Sequence, residues 1–382
     1  MKIVDVKTIR AGKYLFLKIE TDSEITGIGE AGAWSFLDAT IGAINKFKGW
    51  LIGKNPFEIE QLWQMMYRNT YFRGAVIMSA ISAIDIALWD IKGKALGVPV
   101  YELLGGKCRD RVRTYAPVFE FNAESMAQGC KCIQDRGFTA ARLMLTDEMN
   151  NCPVEMLETT YSNRVTTAIE KVRRCREAVG DRFDLCVEIH RSMNPSEAAA
   201  VAEGILPYHP MFIEDPIPPD NHAVMSYIAG KTSVPVATGE RFINIQEFEL
   251  LLSENGARYI RPDVCVLGGI TAAKKAASIA EAHYVGVVPH NPLGPISTAA
   301  CLQLDACIPN FAIQEFPSFY EKGHEDQMMV EPFAVSDGCI IIPDAPGIGI
   351  ELIEDIEEKF PPVNARQELF CKTAFDGSIV DL

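Results

Sequence analysis

Beyond residue 113 the chain alternates short apolar runs with polar, helix-like stretches. The runs fall at 114–120, 139–145, 184–190, 211–216, 235–240, 259–265, 285–290 and 311–316. Between them lie segments such as Ser196-Glu-Ala-Ala-Ala-Val-Ala-Glu-Gly204. Near-continuous apolar runs between helical patterns predict parallel strands covered on both faces. Eight of them is the count of a closed barrel, so the expected class is α/β, a (β/α)7β TIM-like barrel. An open doubly wound sheet is the competing α/β architecture. The barrel is preferred because the candidate chemical groups come from many different strands.

The first third follows another pattern. Tyr14-Leu-Phe-Leu-Lys-Ile-Glu20 and Ile25-Thr-Gly-Ile-Gly-Glu30 flank the polar segment Thr21-Asp-Ser-Glu24, which predicts a hairpin. From Leu37 to Leu104 the spacing turns helical. Met78 to Trp89 places apolar residues at i, i+3, i+4 and i+7. Gly105-Gly106 supplies a stop. The expected division is an N-terminal α+β capping domain at 1–112, a catalytic barrel at 113–320, and a C-terminal segment at 321–382 that packs back on the cap. The polar stretch 146–164 is longer than an ordinary βα loop, and it is expected to cover the site.

Composition narrows the function. The net charge is −15, with 51 acidic and 36 basic residues, which argues against a nucleic-acid partner. Eleven cysteines are scattered along the chain, many in apolar runs, as expected of free buried thiols in a reducing compartment. Cys130 and Cys132 form a lone C-x-C without a second half, so no zinc site is expected. The N-terminus lacks a signal-like apolar core, and no apolar run reaches bilayer length. A soluble cytoplasmic protein with no membrane partner is expected.

The chemistry lies at the ends of the apolar runs. Glu188, Glu214 and Glu240 are spaced 26 residues apart, and Asp263, His290 and Glu315 continue the rhythm in steps of 23, 27 and 25. Active groups of such barrels sit at the C-terminal strand ends. One acid at a strand end is most simply a helix cap or a surface ion pair. Three at matched positions converge on one mouth, where a cation must neutralise them. An all-oxygen set favours a hard ion such as Mg²⁺. His190 lies two residues past Glu188, so on a strand the two would share a face. Asp263 ends the strand beside His290 and could fix its tautomer. A metal and two histidines suit proton abstraction next to a carboxylate.

The motifs Val187-Glu-Ile-His190, Phe212-Ile-Glu-Asp-Pro216, Ala237-Thr-Gly-Glu-Arg241, Arg261-Pro-Asp263, Pro289-His-Asn-Pro-Leu-Gly294 and Ile313-Gln-Glu315 resemble the enolase superfamily. Within its mandelate-racemase-like branch they are most similar to sugar-acid dehydratases of the galactonate and mannonate types. Tyr71-Phe-Arg-Gly74 and Leu103-Leu-Gly-Gly106 extend the likeness into the cap. The resemblance implies Mg²⁺ on Glu188, Glu214 and Glu240. It implies that His290, paired with Asp263, takes the α-proton and that His190 protonates the departing β-hydroxyl. Glu315, if protonated, would hydrogen-bond the enediolate. Trp34, with Phe36 beside it, would choose the substrate from the cap, and Arg142 and Arg191 would join in binding it. The implied reaction converts an aldonate (galactonate, mannonate or gluconate) into a 2-keto-3-deoxy acid, in a homo-oligomer, tetramer or octamer.

Three positions depart from that branch. Glu188 stands where Asp is usual, Arg191 is adjacent to the histidine instead of two residues on, and Arg142-Leu-Met144 replaces the lysines of racemases. Two other readings stay open: an acid-sugar epimerase or racemase, and a catalytically impaired sugar-acid-binding relative.

Overall fold

A computed structural model describes residues 1–120, 122–145, 160–317, 325–363 and 372–380. Three antiparallel strands open the chain: β1 (Ile3–Ala11), β2 (Tyr14–Thr21) and β3 (Thr26–Ala31). Helices α1 (Leu37–Leu51), α2 (Ile59–Asn69) and α3 (Ala75–Leu96) follow, then the short α4 (Val100–Leu103). Helix α3 is apolar nearly all round because it is buried between β3 and the barrel. It lies so close to β3 that a Cβ at Gly27 or Gly29 would fall on the carbonyl oxygens of Ala87 and Ala83.

Eight parallel strands then close a barrel. They are β4 (Arg111–Val118), β5 (Ala140–Met144), β6 (Asp184–Glu188), β7 (Phe212–Glu214), β8 (Val236–Thr238), β9 (Tyr259–Ile260), β10 (Gly286–Val287) and β11 (Gln314–Glu315). Neighbours pair in sequence order, β11 pairs with β4, and a Val287–Phe311 bridge joins β10 to the approach of β11. Seven helices alternate with them: α5 (Ala123–Asp135), α6 (Tyr161–Val179), α7 (Pro195–Ile205), α8 (His222–Ala229), α9 (Ile245–Ser253), α10 (Gly269–Ala282) and α11 (Pro295–Cys307). This is the expected (β/α)7β architecture. The strands are shorter than the apolar runs, because residues beyond the paired segments are buried in the loops of the mouth.

The barrel interior is set by period-two alternation. Tyr115, Ala140, Cys186, Phe212, Ala237, Val288 and Ile313 form a buried cluster separate from the main core. The main core instead packs positions such as Leu143, Val187, Ile213 and Val287 against the helices. Two residues beyond interior members come Arg142, Glu188, Glu214, His290 and Glu315, and Arg261 follows Tyr259 in the same way. A charged layer therefore lies directly above an apolar plug. On β8 the corresponding residue is Gly239, whose φ of 125° turns the chain so that Glu240 follows.

The tail meets both units. Strands β12 (Val335–Ser336) and β13 (Cys339–Ile341) form a hairpin whose second strand pairs with the start of β4. Further on, Phe360 and Val363 exchange backbone hydrogen bonds of 2.9 and 3.0 Å with Gly12 in the cap hairpin. The expected covering segment 146–164 lies outside the described residues up to position 159. Tyr161, read as part of that loop, is the first residue of α6.

Candidate active site

Glu188 and Glu214 are register partners on β6 and β7, so their carboxylates emerge side by side. Glu240 joins them two residues past β8, and its carboxylate is held by Arg191 Nη1 at 2.6 Å. One oxygen from each of Glu188, Glu214 and Glu240 lies within 4.8 Å of the others. Glu188 and Glu214 have no solvent exposure. Glu188 Oε1 accepts from the backbone of His190 at 2.7 Å, while its Oε2 has no hydrogen-bond partner. Glu214 forms an ion pair with Arg261, but neither of its oxygens has a well-aligned hydrogen bond.

Burial dominates their protonation. It pushes Glu188 up to about 8, with Glu240 adding repulsion. It pushes Glu214 well above the carboxylate range, against the pull of Arg261. Burial also opposes ionisation of Glu240, but His290 and then Arg191 outweigh it and hold that carboxyl well below its ordinary value. Orphaned buried oxygens on Glu188 and Glu214, with a Glu240 oxygen within reach of both, fit a hard metal ion, which would let all three ionise.

Opposite the triad stands the dyad. Asp263 and His290 form a parallel bridge beyond β9 and β10, and His290 Nδ1 lies 2.9 Å from Asp263 Oδ2. Cys265 N donates to the other Asp263 oxygen at 2.7 Å. With Nδ1 donating to Asp263, Nε2 faces Glu240 Oε2 at 3.5 Å. Burial depresses the imidazole, but Glu240 and then Asp263 raise it to about 9. Trp34 packs edge-on against the His290 ring, centroids 6.2 Å apart, while its neighbour Phe36 is exposed.

Two expectations need correction. His190 does not continue β6. The strand ends at Glu188, and His190 and Arg191 take left-handed backbone at φ 52° and 65°, so strand alternation does not aim His190. Glu315 is not a protonated donor. Burial favours its neutral form, but Arg142 and then Arg261 hold it ionised at about 2. Arg142 Nη1 donates to Glu315 Oε1 at 2.9 Å, and Arg261 Nη2 and the Asn291 backbone reach Oε2 at 2.8 and 2.9 Å. Arg142 Nη1 is also 3.9 Å from Glu188 Oε2, and its buried Nε has no partner. It stands at the floor between the triad and Glu315.

Sequence reasoning missed Arg261 and Asp215. Arg261 is fully buried and links Glu214, Glu315 and the Tyr115 hydroxyl at 2.8 Å. Its signal was an arginine two residues after Tyr259 at the end of an apolar strand, a charge that demands acidic partners inside. Asp215 was visible as the second acid of Ile213-Glu-Asp-Pro216. It accepts from Thr238 at 2.5 Å and from Arg191 at 3.0 Å.

A capped (β/α)7β barrel with three convergent carboxylates and a His–Asp pair at its mouth defines a class of metal-site barrel proteins. The chain belongs to the mandelate racemase/muconate lactonizing enzyme family of the enolase superfamily. Residues 2–105 match the N-terminal domain of that family and residues 125–356 the enolase C-terminal domain-like model. D-galactonate dehydratase of Xanthomonas oryzae pv. oryzae is 39% identical over 363 residues, 93% of each chain. The Pectobacterium atrosepticum D-galactonate dehydratase is 38% identical over the same share. A crystal structure of an enolase from Agrobacterium radiobacter, with sodium and L-malate bound, matches all of both chains at TM-score 0.91 and 30% identity. Among the described residues no helix is long and apolar enough to cross a membrane.

Proposed function

We propose that this protein is a hydro-lyase that dehydrates an aldonic acid, of the galactonate, mannonate or gluconate kind, to its 2-keto-3-deoxy acid. The observation that carries the reading is the Asp263–His290 pair presenting Nε2 to a mouth walled by three convergent glutamates, two of them fully buried. The names of the D-galactonate dehydratases, and the 2-hydroxy acid malate in the Agrobacterium neighbour, support this substrate class. Glu188, Glu214 and Glu240 would hold Mg²⁺, whose charge stabilises the enediolate when bound.

His290 Nε2 takes the proton on C2, and Asp263 fixes its tautomer and supports the imidazolium that forms. Arg142, anchored by Glu315, orients the substrate carboxylate, and its partnerless Nε is a donor for it. His190 gives a proton to the C3 hydroxyl as the C–O bond breaks. Water leaves, and the resulting enol becomes the ketone by taking a proton at C3 and giving up the one on its C2 hydroxyl. Trp34 closes the cap side, positions the base by edge contact and contacts the sugar chain. The division 1–112, 113–320 and 321–382, a cytoplasmic location and a homo-oligomer of four or eight chains complete the proposal.

The test is turnover of an aldonate panel with Mg²⁺ in D₂O. A 2-keto-3-deoxy product carrying deuterium at C3 is expected. Deuterium uptake at C2 without elimination would replace the reading by an epimerase. Ligand-induced stabilisation without turnover would replace it by a binding protein.

A further inference from the structure

The turn after Glu188 holds two consecutive non-glycine residues in left-handed backbone, His190 and Arg191. L-residues adopt that region at a cost, and such strain persists only where surrounding contacts hold it. The contacts here centre on Arg191. Its backbone N donates to the Asp215 carbonyl at 2.7 Å. Its guanidinium Nη1 donates to Asp215 Oδ2 at 3.0 Å and to Glu240 Oε1 at 2.6 Å. The side chain is 7% exposed, so this ion pair is sheltered from solvent. Glu240 is one of the three convergent carboxylates, and its other oxygen faces His290. A fixed positive charge from the same chain thus grips a member of the triad.

We propose that Arg191 is a resident cation of the triad, which competes with the metal for Glu240 and thereby lowers the metal affinity of the site. The proposal rests on the reading that the triad holds Mg²⁺. Like charges a few ångströms apart repel appreciably even at an effective dielectric of about 20. Ligation through Glu240 Oε1 must also displace or share a charge-assisted hydrogen bond. In return, the guanidinium holds the Glu240 carboxylate in place before metal arrives. The side chain has somewhere to go: a cavity of about 420 Å³ lies beside it, lined also by Ser192, Met193, Pro195, Ile217 and Val224. Metal on Glu240 would therefore free the guanidinium towards the cavity.

The test is Mg²⁺ titration calorimetry on chelator-stripped full-length wild type, Arg191→Gly and Arg191→Lys. Glycine suits a φ of 65°, so that variant keeps the turn. Arg191→Gly should bind Mg²⁺ about tenfold tighter or more. It should melt lower without metal and gain more in Tm on adding it. Arg191→Lys, which keeps a charge, should fall between the two. Equal or weaker binding by Arg191→Gly overturns the proposal while leaving the metal reading intact. So does equal tightening in Arg191→Lys, because charge would not be the agent. No Mg²⁺ binding by wild type or variants overturns both the metal reading and this proposal.

Discussion

The two sides of the barrel mouth are held by different forces. The side carrying Asp263 and His290 is stitched to the cap by hydrogen bonds. Glu30 of β3 accepts from Gly294 N and Ser297 N at 2.7 and 2.8 Å, fixing the start of α11 just after His290. Asp85 and Ser82 of α3 bond Thr271 and Gly268, and Trp63 and Trp89 reach the same stretch of α10 and its approach. The side carrying Glu188, Glu214 and Glu240 is held instead by charge: Arg142, Arg191 and Arg261 set against five carboxylates, those three with Asp215 and Glu315. A proton-transfer pair depends on angle and distance, and a fixed scaffold supplies both. A metal site must change its net charge as the ion comes and goes, and counter-charges from the chain's own arginines suit that.

Breaking the first side should have the larger effect. His290→Asn should remove exchange of the substrate C2 proton with solvent, a loss of about 10²- to 10⁴-fold. The readout is deuterium incorporation at C2 or C3 followed by NMR. Exchange at the wild-type rate would place the base elsewhere. Breaking the second side is read without turnover. Glu214→Gln keeps the shape of the side chain and removes its charge, so the rise in Tm on adding Mg²⁺ should vanish. Persistence of a full wild-type rise would remove Glu214 from the ligand set.

Much of this was legible in the sequence because period-two alternation and the strand-helix repeat are local. Apolar runs marked all eight barrel strands, and the last residues of β6, β7 and β11 are Glu188, Glu214 and Glu315. The Asp263–His290 contact was expected from neighbouring strands and is present. What stayed hidden depends on register or on backbone turns. The equal steps between Glu188, Glu214 and Glu240 conceal a difference: the first two are cross-strand partners, while Glu240 lies beyond a left-handed glycine. The left-handed turn at His190 and Arg191 has no glycine to announce it. The ionised state of Glu315 follows from two arginines that converge on it from β5 and the end of β9. No spacing along the chain shows that convergence.

The smallest expected effect sharpens the comparison, because it isolates one stitch of the cap. Glu30 is fully buried, and burial raises it from 4.5 to about 8 despite its two backbone donors. The folded state therefore holds this proton more tightly than the unfolded chain. Its contribution to stability is complete below about pH 4.5 and is lost as pH rises through about 8. Asp85, raised to about 7, and Asp90, raised to about 6, act in the same direction, again because of burial. Wild type should thus lose stability between pH 5 and pH 8 through these cap acids. Glutamine at position 30 imitates the protonated acid and cannot titrate. Glu30→Gln should weaken the fold modestly at pH 5, where one amide N–H must face a backbone donor. Towards pH 8 it should close the gap on wild type. Urea midpoints at the two pH values decide it, and a constant difference between the proteins would show that Glu30 is ionised throughout. In that case the dyad side, like the triad side, would be held by charge.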